Sequence, residues 1–191
     1  MKKSILQKWK QLKEWQKTLI NVGIVFVVSY QIFTKVVLVG VIPSGSMIPT
    51  LEVGDIVVAN GLAYKLKEPQ RGDIIIFDMN GVTLIKRVIG VPGDSLMFVD
   101  GYLYLNGELV SEEYLPENIE TNSFKDFEDI PDECYFVMGD NREHSYDSRF
   151  WDEPYVKADA IRGKMICDIS LNFSWRKVIS CNPEITEKEN G

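Results

Sequence analysis

Two serines one residue apart, Ser44 and Ser46, sit in the stretch Pro43-Ser44-Gly45-Ser46-Met47-Ile48-Pro49-Thr50-Leu51. A serine hydroxyl attacks an acyl carbon only when a neighbouring base takes its proton. The usual base is a histidine oriented by a carboxylate. The 191-residue chain has one histidine, His144, inside Met138-Gly139-Asp140-Asn141-Arg142-Glu143-His144-Ser145-Tyr146-Asp147-Ser148-Arg149. A lysine is the alternative, but only when neutral, and its ordinary pKa of about 10.4 keeps it charged at pH 7. Burial among apolar groups, with no carboxylate partner, lowers that value. Lys86 has the neighbours for it, in Leu84-Ile85-Lys86-Arg87-Val88-Ile89-Gly90-Val91-Pro92-Gly93-Asp94. Strand alternation puts Lys86 on one face with Leu84 and Val88, turned inward. Arg87 then lies on the other face, outside or paired.

The elements that must position these groups are mostly strands. After Gly40 the chain becomes short runs rich in Val, Ile, Phe and Tyr, punctuated by Gly, Pro, Asp and Asn. The expected strands are 36–42, 55–59, 73–78, 82–91, 95–99, 102–105, 134–138 and 163–169. Asp100-Gly101 and Asn106-Gly107 are the strongest hairpin signals. Arg71-Gly72-Asp73 reads as a turn into the core strand that follows. The body is therefore expected to be a mostly antiparallel β domain with little helix. The segment 112–133 differs, with nine acidic residues and one lysine. It is expected to be an exposed loop or β excursion with a solvated surface.

The N-terminal part reads as a membrane segment. Residues 1–17 hold six lysines and one glutamate, a balance of +5, so the other 174 residues carry -12 of the net -7. An acidic body argues against nucleic-acid binding, and a basic leader suits anionic lipid head groups. Ile5, Trp9 and Leu12 form an apolar stripe among the lysines, as in a helix lying at a membrane surface. Thr18 to Thr34 is uncharged over 17 residues, though Asn21, Ser29 and Gln31 weaken it. It spans roughly 25 Å against a hydrocarbon thickness of about 30 Å. Snorkelling of the flanking lysines and the run Val36–Val39 are expected to supply the rest. The expected division is a basic segment 1–17, a transmembrane anchor 18–39, a β domain 40–181 and a polar, disordered tail 182–191. Lysine enrichment before the anchor puts the N-terminus in the cytoplasm and the body outside. No small-x-small cleavage pattern follows the apolar run, so the anchor is read as uncleaved.

Cys134, Cys167 and Cys181 match no metal-ligand spacing, and one histidine cannot complete a zinc site. The count is odd, so at least one thiol is free. A Cys167–Cys181 disulfide and three small buried side chains both stay open.

The three stretches, in this order, resemble the motif set of bacterial type I signal peptidases, membrane-bound serine proteases with a lysine general base. The likeness runs over about residues 18–170. It implies Ser46 as nucleophile and Lys86 as base, which leaves His144 on a surface loop. Ser44 matches the hydroxyl that completes an oxyanion hole with the backbone N–H of Ser46. Ser145 matches the serine that orients the lysine amine, and Asp147 and Arg149 match a charged pair that holds the loop. Met47, Leu51, Leu84 and Ile85 match the lining of a shallow pocket for small side chains. The resemblance implies that signal peptides of preproteins are the substrate, added as a strand beside residues 82–85. It implies a bacterial cytoplasmic-membrane location and no metal or cofactor. One departure stands out: the family's third motif runs on into an aromatic, a glycine and a hydrophobic pair, whereas here Trp151 precedes Asp152-Glu153-Pro154. Two alternatives remain. A self-cleaving repressor-type Ser–Lys protease would need a DNA-binding domain, for which the leader is too short. An inactive membrane-anchored β binding module would be expected to have lost some of these residues.

Overall fold

The computed structural model describes residue 10 and residues 12–117, 119–170 and 186–187. The chain divides into two units, Met1–Val37 and Leu38–Gly191. The stripe through Ile5 and Trp9 falls largely outside the described residues, as does Cys181.

In the first unit, helix α1 spans Glu14–Val36. Gln16 Oε1 accepts the Lys13 backbone N–H at 2.9 Å, which satisfies one of the donors a helix start leaves open. Glu14 in the first turn pairs with Lys17 at 2.7 Å. Trp15, Leu19, Val22, Val25, Phe26 and Phe33 are all exposed. The anchor expected over 18–39 falls mostly on this helix. Among the described residues no helix is long and apolar enough to cross a membrane. Asn21, Ser29 and Gln31 interrupt its apolar run, and the backbone turns extended at Val37.

The second unit is built from two antiparallel sheets. The larger has seven strands in the order β1-β2-β10-β3-β4-β8-β9. They are β1 (Val37–Val41), β2 (Ile56–Asn60), β3 (Ile74–Met79), β4 (Val82–Gly90), β8 (Cys134–Met138), β9 (Tyr155–Lys157) and β10 (Ile161–Ile169). The smaller orders β11-β7-β6-β5, with β5 (Leu96–Val99), β6 (Tyr102–Leu105), β7 (Glu108–Ser111) and β11 (Thr186–Glu187). Thr186–Glu187 thus pair with β7 inside the expected disordered tail, whose other residues lie outside those described.

Turn chemistry sets the hairpins. Asp100-Gly101 and Asn106-Gly107 both take positive φ, which matches the twist of the strands they join. Asn80-Gly81 does the same between β3 and β4. Three apolar clusters form the core. One packs Ile89, Leu96, Leu105, Phe127, Ile130 and Phe136. Another gathers Ile75, Phe77, Val88, Val137 and Trp151. The last joins Met47, Leu51, Val57, Ile74 and Met165, with Ile85 against it.

The acidic segment is not simply a solvated excursion. Phe127 and Ile130 are buried, and Phe127 bridges to Leu96. Among the described residues Cys134 and Cys167 are free thiols, and Cys181 lies outside them.

Candidate active site

Strand β4 carries the lysine and one edge of a cleft. Its residues Val82–Arg87 pair with β3. On the other side β8 joins it only from Arg87 onward. Among the described residues the backbone of Val82–Lys86 is therefore left without a strand neighbour on that edge, open to an added strand. Opposite this edge runs Pro43–Ser46. A cleft of about 910 Å³ lies between, lined by Pro43, Ser44, Ser46, Leu84, Ile85 and Lys86, with Asn141, His144 and Tyr146 farther along. Trp151, Asp152 and Glu153 form part of the wall, so the departure from the family pattern faces the cleft.

Lys86 is 4% exposed. Among the described residues its amine joins no ion pair; the carboxylates nearby are taken by arginines. Burial pulls its pKa from 10.5 to about 8; Asp147 and Asp140 oppose the shift and Arg149 adds to it. A pKa near 8 leaves roughly a tenth of the side chain neutral at pH 7.

Arg87 is buried and paired, not outside. Its Nε and Nη2 donate to the two oxygens of Asp140 at 2.9 and 2.6 Å, and Nη1 donates to Gly72 O at 3.0 Å. Thr50 Oγ1 donates to the same carboxylate. Asn141 completes the link, its Nδ2 donating to Gly45 O at 2.9 Å and its backbone N–H to Ser46 O at 3.1 Å. So the neighbour of Lys86, the loop after β8 and the turn bearing Ser46 are one hydrogen-bonded unit. Gly139, Asp140 and Asn141 were expected to make a turn, but the link through Asp140, Asn141 and Thr50 to Arg87 and the serine turn was not. Their signal was present only as polar residues inside the matched motifs.

The loop from Gly139 to Arg149 has its own frame. Arg149 Nε and Nη2 donate to the two oxygens of Asp147 at 2.8 and 2.9 Å. Asp147 also accepts the Gly139 N–H at 2.9 Å. Ser145 is buried, and among the described residues its Oγ has no hydrogen-bond partner, Lys86 included. A Cβ on Gly139 would come within 2.3 Å of both Ser145 Oγ and Ser46 O, so the serines crowd the same glycine. His144 is exposed, and its Nδ1 lies 3.2 Å from Asn141 Oδ1. Ser44 is exposed on the cleft rim. Leu84 and Ile85 line the cleft, while Met47 and Leu51 are fully buried beneath it against Ile85. Among the described residues no group of His, Cys, Asp and Glu is arranged to hold a metal ion.

A family model described as signal peptidase, peptidase S26, matches residues 12–169. The chain belongs to this family. It is 36% identical over 159 residues to signal peptidase I S of Bacillus subtilis, covering 78% of this chain and 84% of that protein. It is 35% identical over 173 residues to signal peptidase IB of Staphylococcus aureus, covering 82% and 88%. A probable signal peptidase I-2 of Synechocystis is 38% identical over 120 residues. There the match covers 58% of this chain and the chain spans about half of the relative, 53%. The matched span of the family model includes the cleft, both serines, Lys86 and the loop Gly139–Arg149.

Proposed function

We propose that the chain is a serine endopeptidase that cuts N-terminal signal peptides from exported preproteins. The observation that carries this reading is Lys86: a lysine 4% exposed, without a carboxylate partner, on the cleft that also holds Ser46.

The substrate strand adds to the free edge of Val82–Lys86 and presents its carbonyl to Ser46. Neutral Lys86 accepts the Ser46 Oγ proton as Oγ bonds to the carbonyl carbon. The oxyanion takes hydrogen bonds from the Ser44 hydroxyl and the Ser46 N–H. Each such donor is worth roughly a hundred- to a thousandfold in rate. Lys86 then gives the proton to the departing amine; in the second half neutral Lys86 takes a proton from water as it attacks the acyl carbon, and returns that proton to Ser46 Oγ as the acyl–oxygen bond breaks. The unpartnered hydroxyl of Ser145 suits the role of accepting from the lysine and turning it to the serine. Asp147 and Arg149 fix the loop that carries it.

The helix Glu14–Val36 exposes apolar side chains along its length, and lysines precede it. That pairing favours association with an anionic bilayer, which keeps the cleft near membrane-bound leaders.

The test is cleavage of a purified preprotein with sequencing of the new N-terminus. Ser46→Ala and Lys86→Ala are each expected to lower kcat at least a thousandfold, and His144→Ala to leave it within about threefold. Loss of activity in the histidine variant alone would overturn the base assignment. The pH profile has a fixed sign: kcat/KM rises with pH through about 8, as Lys86 loses its proton. A rate that is flat from pH 6 to 10 contradicts a titrating lysine.

A further inference from the structure

The acidic segment that begins at Glu112 is bound to the catalytic loop at several points. Glu112 makes a two-point ion pair with Arg142, whose Nη1 and Nη2 donate to its oxygens at 2.7 and 2.6 Å. Tyr114 OH donates to Glu112 Oε1 at 2.5 Å and accepts from Arg142 Nη2 at 3.0 Å. The Tyr114 ring lies under Arg87, with the guanidinium carbon 4.0 Å from its centroid. Thr121 Oγ1 accepts from Arg142 at 2.6 Å, and Asn122 O accepts from Arg149 at 3.3 Å. Arg142 in turn donates from Nε to Gly139 O at 3.2 Å, and its own carbonyl accepts from Arg149 at 2.8 Å. The side chains of Arg142 and Glu112 are 0% and 10% exposed.

We propose that Glu112 and Tyr114 are positioning residues for the Ser–Lys reaction: they brace the loop Gly139–Arg149 and keep the buried charge around Lys86 balanced. The cluster holds three arginines, Arg87, Arg142 and Arg149, against three carboxylates, Asp140, Glu112 and Asp147. Every carboxylate is matched to a guanidinium, and none is left over for Lys86. A seventh ion in this set would be an unbalanced cation, which is the condition a lysine base needs. Burial pushes the Glu112 carboxyl up, but Arg142, with hydrogen bonds from Arg142 and Tyr114, holds it below its ordinary value. Glu112 is thus a fixed anion over the working pH range. Tyr114 stays a neutral phenol, because burial drives its pKa well above 10. The groups acting directly on Lys86 are Asp147 and Asp140, which favour its charge, and Arg149, which opposes it.

The test exploits a sign. Glu112→Gln leaves the cluster one positive charge in excess, so the acid limb of kcat/KM must move to lower pH. A merely structural role would let water reach Lys86 and move the limb upward, toward an ordinary lysine. Glu112→Asp keeps the charge and is expected to restore the limb. Tyr114→Phe changes no charge; it is expected to lower kcat about tenfold, with KM and the limb unmoved, because neither residue touches substrate. This variant carries the test by itself if Glu112→Gln does not fold. The proposal fails if the Glu112→Gln limb stays or rises, or if Tyr114→Phe turns over at the wild-type rate. It rests on Lys86 as the base, and activity in Lys86→Ala would remove that reading separately. All variants are measured in the full chain on one preprotein.

Discussion

At pH 6 a lysine with a folded pKa near 8 is charged in both the folded and the unfolded chain. Only in the folded chain is that charge held away from water. The folded value is depressed from 10.5, so the unfolded chain binds more protons between 8 and 10.5, and stability rises with pH across that window. Below 8 the full penalty applies, about 3 kcal/mol by linkage. Lys86→Met is therefore expected to be inactive yet more stable than wild type at pH 6, by on the order of 2–3 kcal/mol. Its advantage should shrink toward zero by pH 10.5; urea denaturation at both pH values checks it. Gly139 gives a second prediction at this scale. Any Cβ there meets the Ser46 carbonyl and Ser145 Oγ at 2.3 Å, and one of these is backbone. Gly139→Ala should lower kcat by at least a hundredfold, with KM changed less, read by steady-state kinetics. The burial of Lys86 was expected from its apolar neighbours together with the motif around it; strand alternation alone does not give it, since Arg87 on the other face is buried too. The partner of Arg87 could not be read from sequence, because Asp140 lies 53 residues away in the chain.

Strand β10 lies between β2 and β3 in the interior of the larger sheet. Its register shifts between Ile161 and Gly163 on one side and between Met165 and Cys167 on the other. Gly163 is the point of closest approach: a Cβ would sit 2.5 Å from Asn60 O and 3.0 Å from Asn60 C. Backbone cannot swing aside as a side chain can, so Gly163→Ala is expected to destabilise the domain by about 2 kcal/mol. The lysine is on another strand, so the same variant should keep its wild-type pH limb while its melting temperature falls. Most strands of the two sheets were legible, because buried β-branched runs bounded by Gly, Pro or Asp leave a clear pattern. Those of β7 and β9 were not. Glu108–Ser111 and Tyr155–Lys157 are short and carry charged residues, so only pairing with neighbours makes them strands. The acidic segment misled for a related reason. Counting its carboxylates describes their average solvation, whereas Glu112 is held by a single distant arginine.

At the scale of the chain, the two units differ in what they need from their surroundings. The β unit, Leu38–Gly191, contains all three apolar clusters and every residue assigned to the reaction. The helix Glu14–Val36 has no apolar cluster of its own and exposes Trp15, Leu19, Phe26 and Phe33, each by 59% or more. A helix that is apolar over most of its circumference does not remain solvated. Removing residues 1–34 is therefore expected to separate two properties. The truncated chain should melt within a few degrees of the full chain and cut a short soluble leader peptide at a similar rate, since the core and cleft are intact. Its sedimentation with anionic vesicles should fall by more than tenfold, and with it the rate on a vesicle-bound preprotein. Equal vesicle binding by both chains would place the lipid contact on the β unit, where Val39, Val41 and Val53 are also exposed. A collapse of activity on the soluble peptide would instead make the helix part of the folded catalytic unit, against the division at Val37.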